Sequence, residues 1–326
     1  MLSWLAKLRR AKADKSRLPG QLRTKYAASD LVPADHILAQ LPCTRYWGNE
    51  RKAHIEGLPP PGIPGWIGRF EWVVGFAHGW ADISRYPTSV FCNPDYLDKL
   101  ADFLNRSQLQ RVHDRSILVV GGDDGLLSGQ NETTMRSLRQ HFDDIYYEAK
   151  DCDHPFVKIM PIGLQEFYLR GHEKDFREAI HAPVNKTQLV AAAWGKWWPQ
   201  LDRRLADRAA AKAFCEQAPF VDSGVFEPSA YYEKLSRSHF MICPLGNGVQ
   251  APKMIEALLM SSLPIMTSST ASRELRAIGI PIMIVDDWQD LSEGMLLDER
   301  NRFQNQLSEF RKIIMNQDRW WDFCFR

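Results

Sequence analysis

From about residue 70 onward, short apolar runs alternate with stretches whose apolar residues return every three or four positions. Ile117-Leu118-Val119-Val120, Ile145-Tyr146-Tyr147, Val157 to Ile162, Gln188 to Trp194, Phe240 to Ile242, Leu263 to Met266 and Ile280 to Val285 read as strands buried on both faces. Parts of Phe70 to Cys92 read as further strands or buried turns. Between them, Asn93-Pro94-Asp95 opens a helix through Leu97, Leu100, Ala101 and Leu104, and Leu201 to Cys215 forms an arginine-rich one. Glu299 to Met315 reads as a polar helix, and His172 through His181 only as polar. Tyr231 and Tyr232 lead a short helix and are assigned to packing. Strand and helix in alternation predict an α/β fold with parallel sheets.

The pattern breaks at Pro183-Val184-Asn185-Lys186 and then restarts, which predicts two α/β domains. The expected division is a basic leader at 1–30, an N-terminal domain at 31–182, a C-terminal Rossmann-like domain at 183–298 and a last helix at 299–326. The three aromatics at 320, 321 and 323 need a place to be buried, and a return of that helix to the N-terminal domain would supply one.

Candidate chemistry gathers in the stretch from Ser238 to Met266. An apolar run, a turn of Pro244, Gly246, Asn247 and Gly248, a helix and a second apolar run make one βαβ unit. Its loop opens at a helix N-terminus, where free N–H groups and the helix dipole attract phosphate, and Pro252 suits the first turn. Met254, Ile255, Leu258 and Leu259 form the side that packs on the sheet. Lys253 and Glu256, three apart, share the remaining face. Two readings stand for the pair: a surface salt bridge, or a lysine that neutralises a diphosphate beside a carboxylate that accepts from sugar hydroxyls.

Elsewhere, Asp123 and Asp124 follow a strand at Gly121-Gly122, either as caps of a glycine turn or as acidic groups at a ligand-gathering strand end. Lys196, Arg203 and Arg204 follow the strand at 188–194, either as surface cations or as partners of a phosphate. His78 is a further candidate proton acceptor. Asp151-Cys152-Asp153 has the spacing of a metal motif but falls in a loop, so no metal site is assigned.

Pro-Leu-Gly-Asn-Gly, then a helix with a basic residue and Glu-Ala-Leu, then Leu-Pro-Ile-Met, resembles the exostosin-like (family 47-type) glycosyltransferases. Ile280-Pro281-Ile282-Met283-Ile284-Val285-Asp286-Asp287-Trp288 and Lys158-Ile159-Met160-Pro161-Ile162-Gly163-Leu164 resemble two further blocks of that family. The chain departs from the pattern at Gln250, where an acidic residue is usual, at Lys253, where arginine is usual, and at Ser261 and Ser262, where a glycine is common. A lysine keeps the charge of arginine but lacks its bidentate fork.

The resemblance implies two Rossmann-like domains facing across a cleft, a GT-B-like arrangement. It further implies inverting transfer from a nucleotide-diphosphate sugar, expected to be a UDP-sugar, to a glycan or other hydroxyl acceptor. No cofactor is required on this reading. Gly246, Asn247, Gly248, Gln250, Lys253 and Glu256, with Lys196, Arg203 and Arg204, would hold the donor. Asp123, Asp124 or His78 would take the acceptor proton. The alternative is a nucleotide- or sugar-binding protein without catalysis, for which Gln250 and Lys253 speak. An oxidoreductase is disfavoured because no Gly-x-Gly-x-x-Gly opens a strand-to-helix turn.

Composition narrows the classes. A net charge of +1 argues against a nucleic-acid binder with a broad basic face. The six cysteines have neither disulfide-framework nor zinc spacing and read as reduced. No window has the roughly 18–20 apolar residues of a membrane span, and Lys7 interrupts the opening apolar residues too early for a signal peptide. A cytoplasmic protein is expected, or a Golgi-luminal one if the chain is a trimmed form. The basic residues before Lys25 form either a solvated leader or a helix in weak contact with an anionic membrane.

Overall fold

The computed structural model describes residues 43–45, 67–76, 81–165, 169, 171–195, 202–246 and 248–326. Two five-stranded sheets, both wholly parallel, carry the fold. The first contains β2 (Trp72–Val74), β3 (Ser89–Cys92), β4 (Ile117–Val120), β5 (Asp144–Tyr147) and β6 (Val157–Ile159), side by side in chain order. Every residue of β3 and β4 is buried, as the continuous apolar runs predict for strands covered on both faces. Between β3 and β4, Asn93 caps a short 3-10 turn that runs into α1 (Leu97–Arg106), which buries Leu97, Leu100, Ala101 and Leu104. Helix α2 (Glu132–His141), capped by Asn131, joins β4 to β5.

The second sheet contains β8 (Gln188–Ala193), β9 (Val221–Gly224), β10 (Ser238–Ile242), β11 (Leu263–Thr267) and β12 (Met283–Val285). Its spatial order is β9-β8-β10-β11-β12, so the chain reverses direction across the sheet between β8 and β10. Parallel α/β sheets of this order hold ligands outside the carboxyl ends of the two strands that flank the reversal. A small parallel pair, β1 (Cys43–Arg45) with β7 (Leu164–Gln165), lies apart from both sheets.

Helix α3 (Glu173–His181) occupies the stretch that reads only as polar. Phe176 and Ile180, four apart, are its buried side, and Phe176 packs edge-on against Tyr232 at 5.2 Å. Helices α4 (Asp202–Gln217), α5 (Pro228–Arg237), α6 (Pro252–Leu259) and α7 (Thr270–Ala277) connect the strands of the second sheet. The long α8 (Glu293–Ile314) then leads to α9 (Gln317–Cys324). Trp320 is fully buried, while Trp321 meets Phe70 at 5.2 Å and Phe325 meets Tyr146 edge-on at 5.0 Å. Trp321 and Phe325 therefore pack against the first sheet, whereas Trp320 and Phe323 pack against Phe310 of α8.

Side chains tie these parts together. The buried Lys150 ammonium, just beyond β5, pairs with Glu274 on α7. From α8, Arg311 donates through Nε to Leu259 O at 2.7 Å and through Nη2 to Ile180 O, capping the ends of α6 and α3 with one guanidinium. Cys92, Cys152, Cys215, Cys243 and Cys324 are all free thiols, and no described helix is long and apolar enough to cross a membrane. The basic leader lies outside the described residues.

Ser261 is the one described non-glycine residue with positive φ, at 57°. Between α6 and β11 the chain there turns through the left-handed region, which costs a side chain about 1–2 kcal/mol. Ser261→Gly should therefore raise stability, by up to about 1 kcal/mol once the greater freedom of unfolded glycine is subtracted. Arg311→Ala should lower it by about 1.5–3 kcal/mol, because carbonyls of two helix ends lose a charged donor. Urea unfolding of the full chain measures both, and a Ser261→Gly protein less stable than the parent would contradict the strain argument.

Candidate functional site

The expected βαβ unit is present: β10, the loop at 243–251, α6 and β11, with β10 and β11 parallel. The loop therefore leaves the carboxyl end of β10, one of the two strands at the reversal. Gly246 N–H donates to Gly248 O at 3.2 Å, and a Cβ at Gly246 would meet nothing within 4 Å. Asn247 lies outside the described residues. Ala251, at the N-cap of α6, provides no side-chain acceptor for the first turn.

Lys253 projects from that first turn to the other strand of the reversal. Its Nζ donates to Ala193 O, at the end of β8, and lies 5.8 Å from the centre of the Trp194 ring. Burial lowers its pKa from the usual lysine value to about 8, and the nearby Arg208 charge pushes the same way. Beside it, a cleft of about 390 Å³ is lined by Trp194, Gly195, Arg208, Lys212, Gly224 and Val225 at the carboxyl ends of β8 and β9. Arg208 Nη2 donates to Gly195 O at 3.3 Å on the same rim.

Glu256 is buried one turn deeper in α6, at 5% exposure. It accepts a short hydrogen bond from the Tyr231 hydroxyl on α5. Burial raises its pKa, opposed by that hydrogen bond and by the Lys253 charge. Burial and the carboxylate also hold the Tyr231 hydroxyl well above the usual tyrosine range, so it stays a donor. Two expectations change here. Tyr231 is the polar partner of Glu256 and not a packing residue alone. Lys253 and Glu256 are not a surface salt bridge: no ion pair joins them, β8 engages one and α5 the other, and each charge still lies near enough to shift the other's pKa.

Gln250 is 4% exposed. Its Nε2 donates to Glu148 O at 2.6 Å and Met160 O at 2.8 Å, and its Oε1 accepts from Ile162 N at 2.9 Å. All three partners follow β5 or β6, so the amide pins the loop to the carboxyl side of the first sheet. Asp207, on α4, anchors the loop from the other side. It accepts from Leu245 N at 2.7 Å, Thr267 Oγ1 at 3.0 Å and Trp288 Nε1 at 2.8 Å. The three sequence blocks are thus hydrogen-bonded around one loop: Gln250 reaches Met160 and Ile162 of one block, and Asp207 joins Leu245 to Trp288 of another.

Asp123 and Asp124 occupy the turn at the carboxyl end of β4, where Asp124 N donates to Asp123 Oδ1 at 2.6 Å. The preceding glycines are demanded by the fold. A Cβ at Gly121 would come within 2.3 Å of the Glu148 carboxyl, and Gly122 has φ 81° with a Cβ position 2.5 Å from the Phe76 ring. Buried Glu148 closes the turn by accepting from Gly122 N at 2.8 Å. Of the remaining candidates, His78 and Lys196 lie outside the described residues. Arg203 and Arg204 fall in the first turn of α4, with side chains outside the description.

No protein-family model matches the chain. Over 94 residues, 29% of the chain and 20% of the relative, it is 28% identical to a probable beta-1,4-xylosyltransferase of Arabidopsis thaliana. A second probable beta-1,4-xylosyltransferase of that plant is 26% identical over 94 residues, 29% of the chain and 21% of the relative. A probable glucuronosyltransferase of Oryza sativa subsp. japonica is 28% identical over 83 residues, 26% of the chain and 17% of the relative. The chain thus spans about a fifth of the length of these curated relatives. Part of it is similar to glycosyltransferases.

Asp207 is the anchor whose removal should be most visible. Asp207→Ala leaves Leu245 N and the Trp288 indole without their acceptor, which should cost about 2–4 kcal/mol and move Trp288 emission. Asp207→Asn should do less harm, because an amide oxygen still accepts from Thr267 and Trp288 while its NH2 opposes Leu245 N. Chemical denaturation followed by tryptophan fluorescence orders the three proteins. Equal stability would remove Asp207 from this role.

Proposed function

We propose that this protein is a glycosyltransferase that moves a sugar from a nucleotide-diphosphate donor, held at the carboxyl edge of the second sheet, to a hydroxyl group of a glycan. The observation that carries the reading is Lys253, a half-buried cation with no carboxylate ion pair among the described residues, lying across the strand reversal between β8 and β10. A phosphate there would meet the ammonium, the uncapped first turn of α6 and the open backbone at Gly246, where the fold itself does not demand a glycine. The partial similarity to xylosyl- and glucuronosyltransferases supports the same class.

On this reading the two sheets belong to two Rossmann-like domains that face across a cleft. The acceptor hydroxyl attacks the anomeric carbon in a single displacement. The new carbon–oxygen bond forms as the bond to the diphosphate breaks, with inversion at that carbon. The leaving diphosphate takes the bonding electron pair, and Lys253 with the α6 N-terminus stabilises its charge. Asp123 or Asp124 takes the acceptor proton. Glu256, held by Tyr231, retains lone pairs for a ribose or sugar hydroxyl. Gln250 is assigned to holding the loop, because it is buried and its N–H groups and oxygen engage the first sheet.

UDP-xylose and UDP-glucuronic acid, each offered with a xylo-oligosaccharide, are the donors to test first, with free UDP as the readout. Lys253→Ala should weaken UDP binding and slow transfer by about tenfold to a hundredfold, the worth of one charge-assisted hydrogen bond. Glu256→Gln should mainly weaken donor binding. The pH dependence has a definite sign: the free lysine loses its proton near pH 8, whereas bound diphosphate favours the charged form. UDP affinity should therefore hold between pH 7 and 8 and fall above it, at most about tenfold per pH unit. A parent protein that binds UDP but releases none from either sugar nucleotide would be a binding module for these donors. Variants that bind and turn over like the parent would remove Lys253 and Glu256 from the site.

A further inference from the structure

We infer that Glu148 and Gln250 are positioning residues that fix the donor-side loop and the Asp123–Asp124 turn to each other. Glu148 serves both elements at once. Its main-chain carbonyl accepts from Gln250 Nε2 at 2.6 Å, and its carboxylate accepts from Gly122 N at 2.8 Å. The residue is buried, and its carboxyl group fills the space that a Cβ on Gly121 would need. Gly121 leaves room for that carboxylate, which then holds the turn through Gly122 N. Gln250 uses both N–H bonds and its oxygen on residues 148, 160 and 162, so the peptide of Glu148 cannot shift without breaking buried hydrogen bonds. A displacement of the 243–251 loop is thereby passed to Gly122 and to the carboxylates that follow it. The inference rests on the transfer reading for its meaning, since it joins the element assigned to the donor with the one assigned to the acceptor proton.

Amide hydrogen exchange on the full chain tests the linkage without any substrate. In Gln250→Leu, which keeps bulk but makes none of the three hydrogen bonds, the Gly122 amide should exchange about tenfold faster or more, although position 250 lies far from it in sequence. Glu148→Ala should show the same change, and Glu148→Gln, whose amide oxygen can still accept from Gly122 N, should keep most of the protection. Unchanged exchange at Gly122 in Gln250→Leu would overturn the inference. So would a uniform rise that includes core amides such as Val119 and Met241, because that would be loss of global stability alone.

Transfer assays with UDP-xylose, UDP-glucuronic acid and a xylo-oligosaccharide give the second readout. Gln250→Leu should lower kcat about tenfold while UDP affinity stays within about twofold, with kcat referred to the concentration of UDP-binding molecules so that a loss of folded protein does not mimic the effect. If the parent releases no UDP from either donor but the exchange pattern holds, the transfer reading fails and the linkage stands. If the parent transfers and the Gln250→Leu and Glu148→Ala proteins match it in kcat and exchange, the linkage fails alone.

Discussion

The arrangement of the site depends on one buried amide. A primary amide carried into a protein interior is costly unless its donors and acceptor are matched, because unpaired polar groups lose their hydration with nothing in return. Gln250 meets that condition only because the chain after β5 and the chain after β6 present two carbonyls and one N–H to it. The carboxyl side of the first sheet is thereby held against the loop that leaves the carboxyl end of β10. The Lys150–Glu274 ion pair repeats the tie between β5 and α7. Hydrophobic burial builds each sheet, but these directional contacts set where the loop lies.

Much of the fold was legible in the sequence because each sheet is parallel and covered. Continuous apolar runs such as Ile117 to Val120 have few readings other than a buried strand, and Leu97, Leu100, Ala101 and Leu104 mark a single helix face. The helix at Glu173–His181 was not legible, because only Phe176 and Ile180 are buried and charged residues surround them. The βαβ unit was also visible, through its glycine turn and Pro252. The roles within it were not. Gln250 lies 102 residues from Glu148, and Asp207 lies 81 from Trp288, so no local spacing signals either contact. Tyr231 sat in a plausible packing position, and only the buried Glu256 beside it reveals a hydrogen-bonding task.

The departures from the resembled family's pattern acquire physical content in the fold. At 250 an ionised acidic side chain could still accept from Ile162 N, but it would present acceptors to two carbonyl oxygens and donate to neither. A glutamine suits this joint because it donates twice and accepts once. At 261 the left-handed backbone explains why glycine would be the easier choice, and the serine that stands there accepts local strain. Both positions concern the shape of the loop and its helix more than direct contact with a ligand.

At 253 the difference between lysine and arginine is electrostatic as well as geometric. The described contacts offer this cation one backbone carbonyl, from Ala193, and the edge of the Trp194 environment, with Arg208 near enough to oppose its charge. A guanidinium there would remain charged at all ordinary pH and would need more acceptors than one carbonyl supplies. An ammonium whose pKa has already fallen to about 8 can give up part of that charge when no anion is present. A diphosphate would add to the counter-charge that Glu256 supplies and draw the proton back onto the lysine. On the transfer reading, the same burial that weakens Lys253 as a free cation makes it responsive to the anion that leaves during reaction, where a dry, preorganised charge acts most strongly.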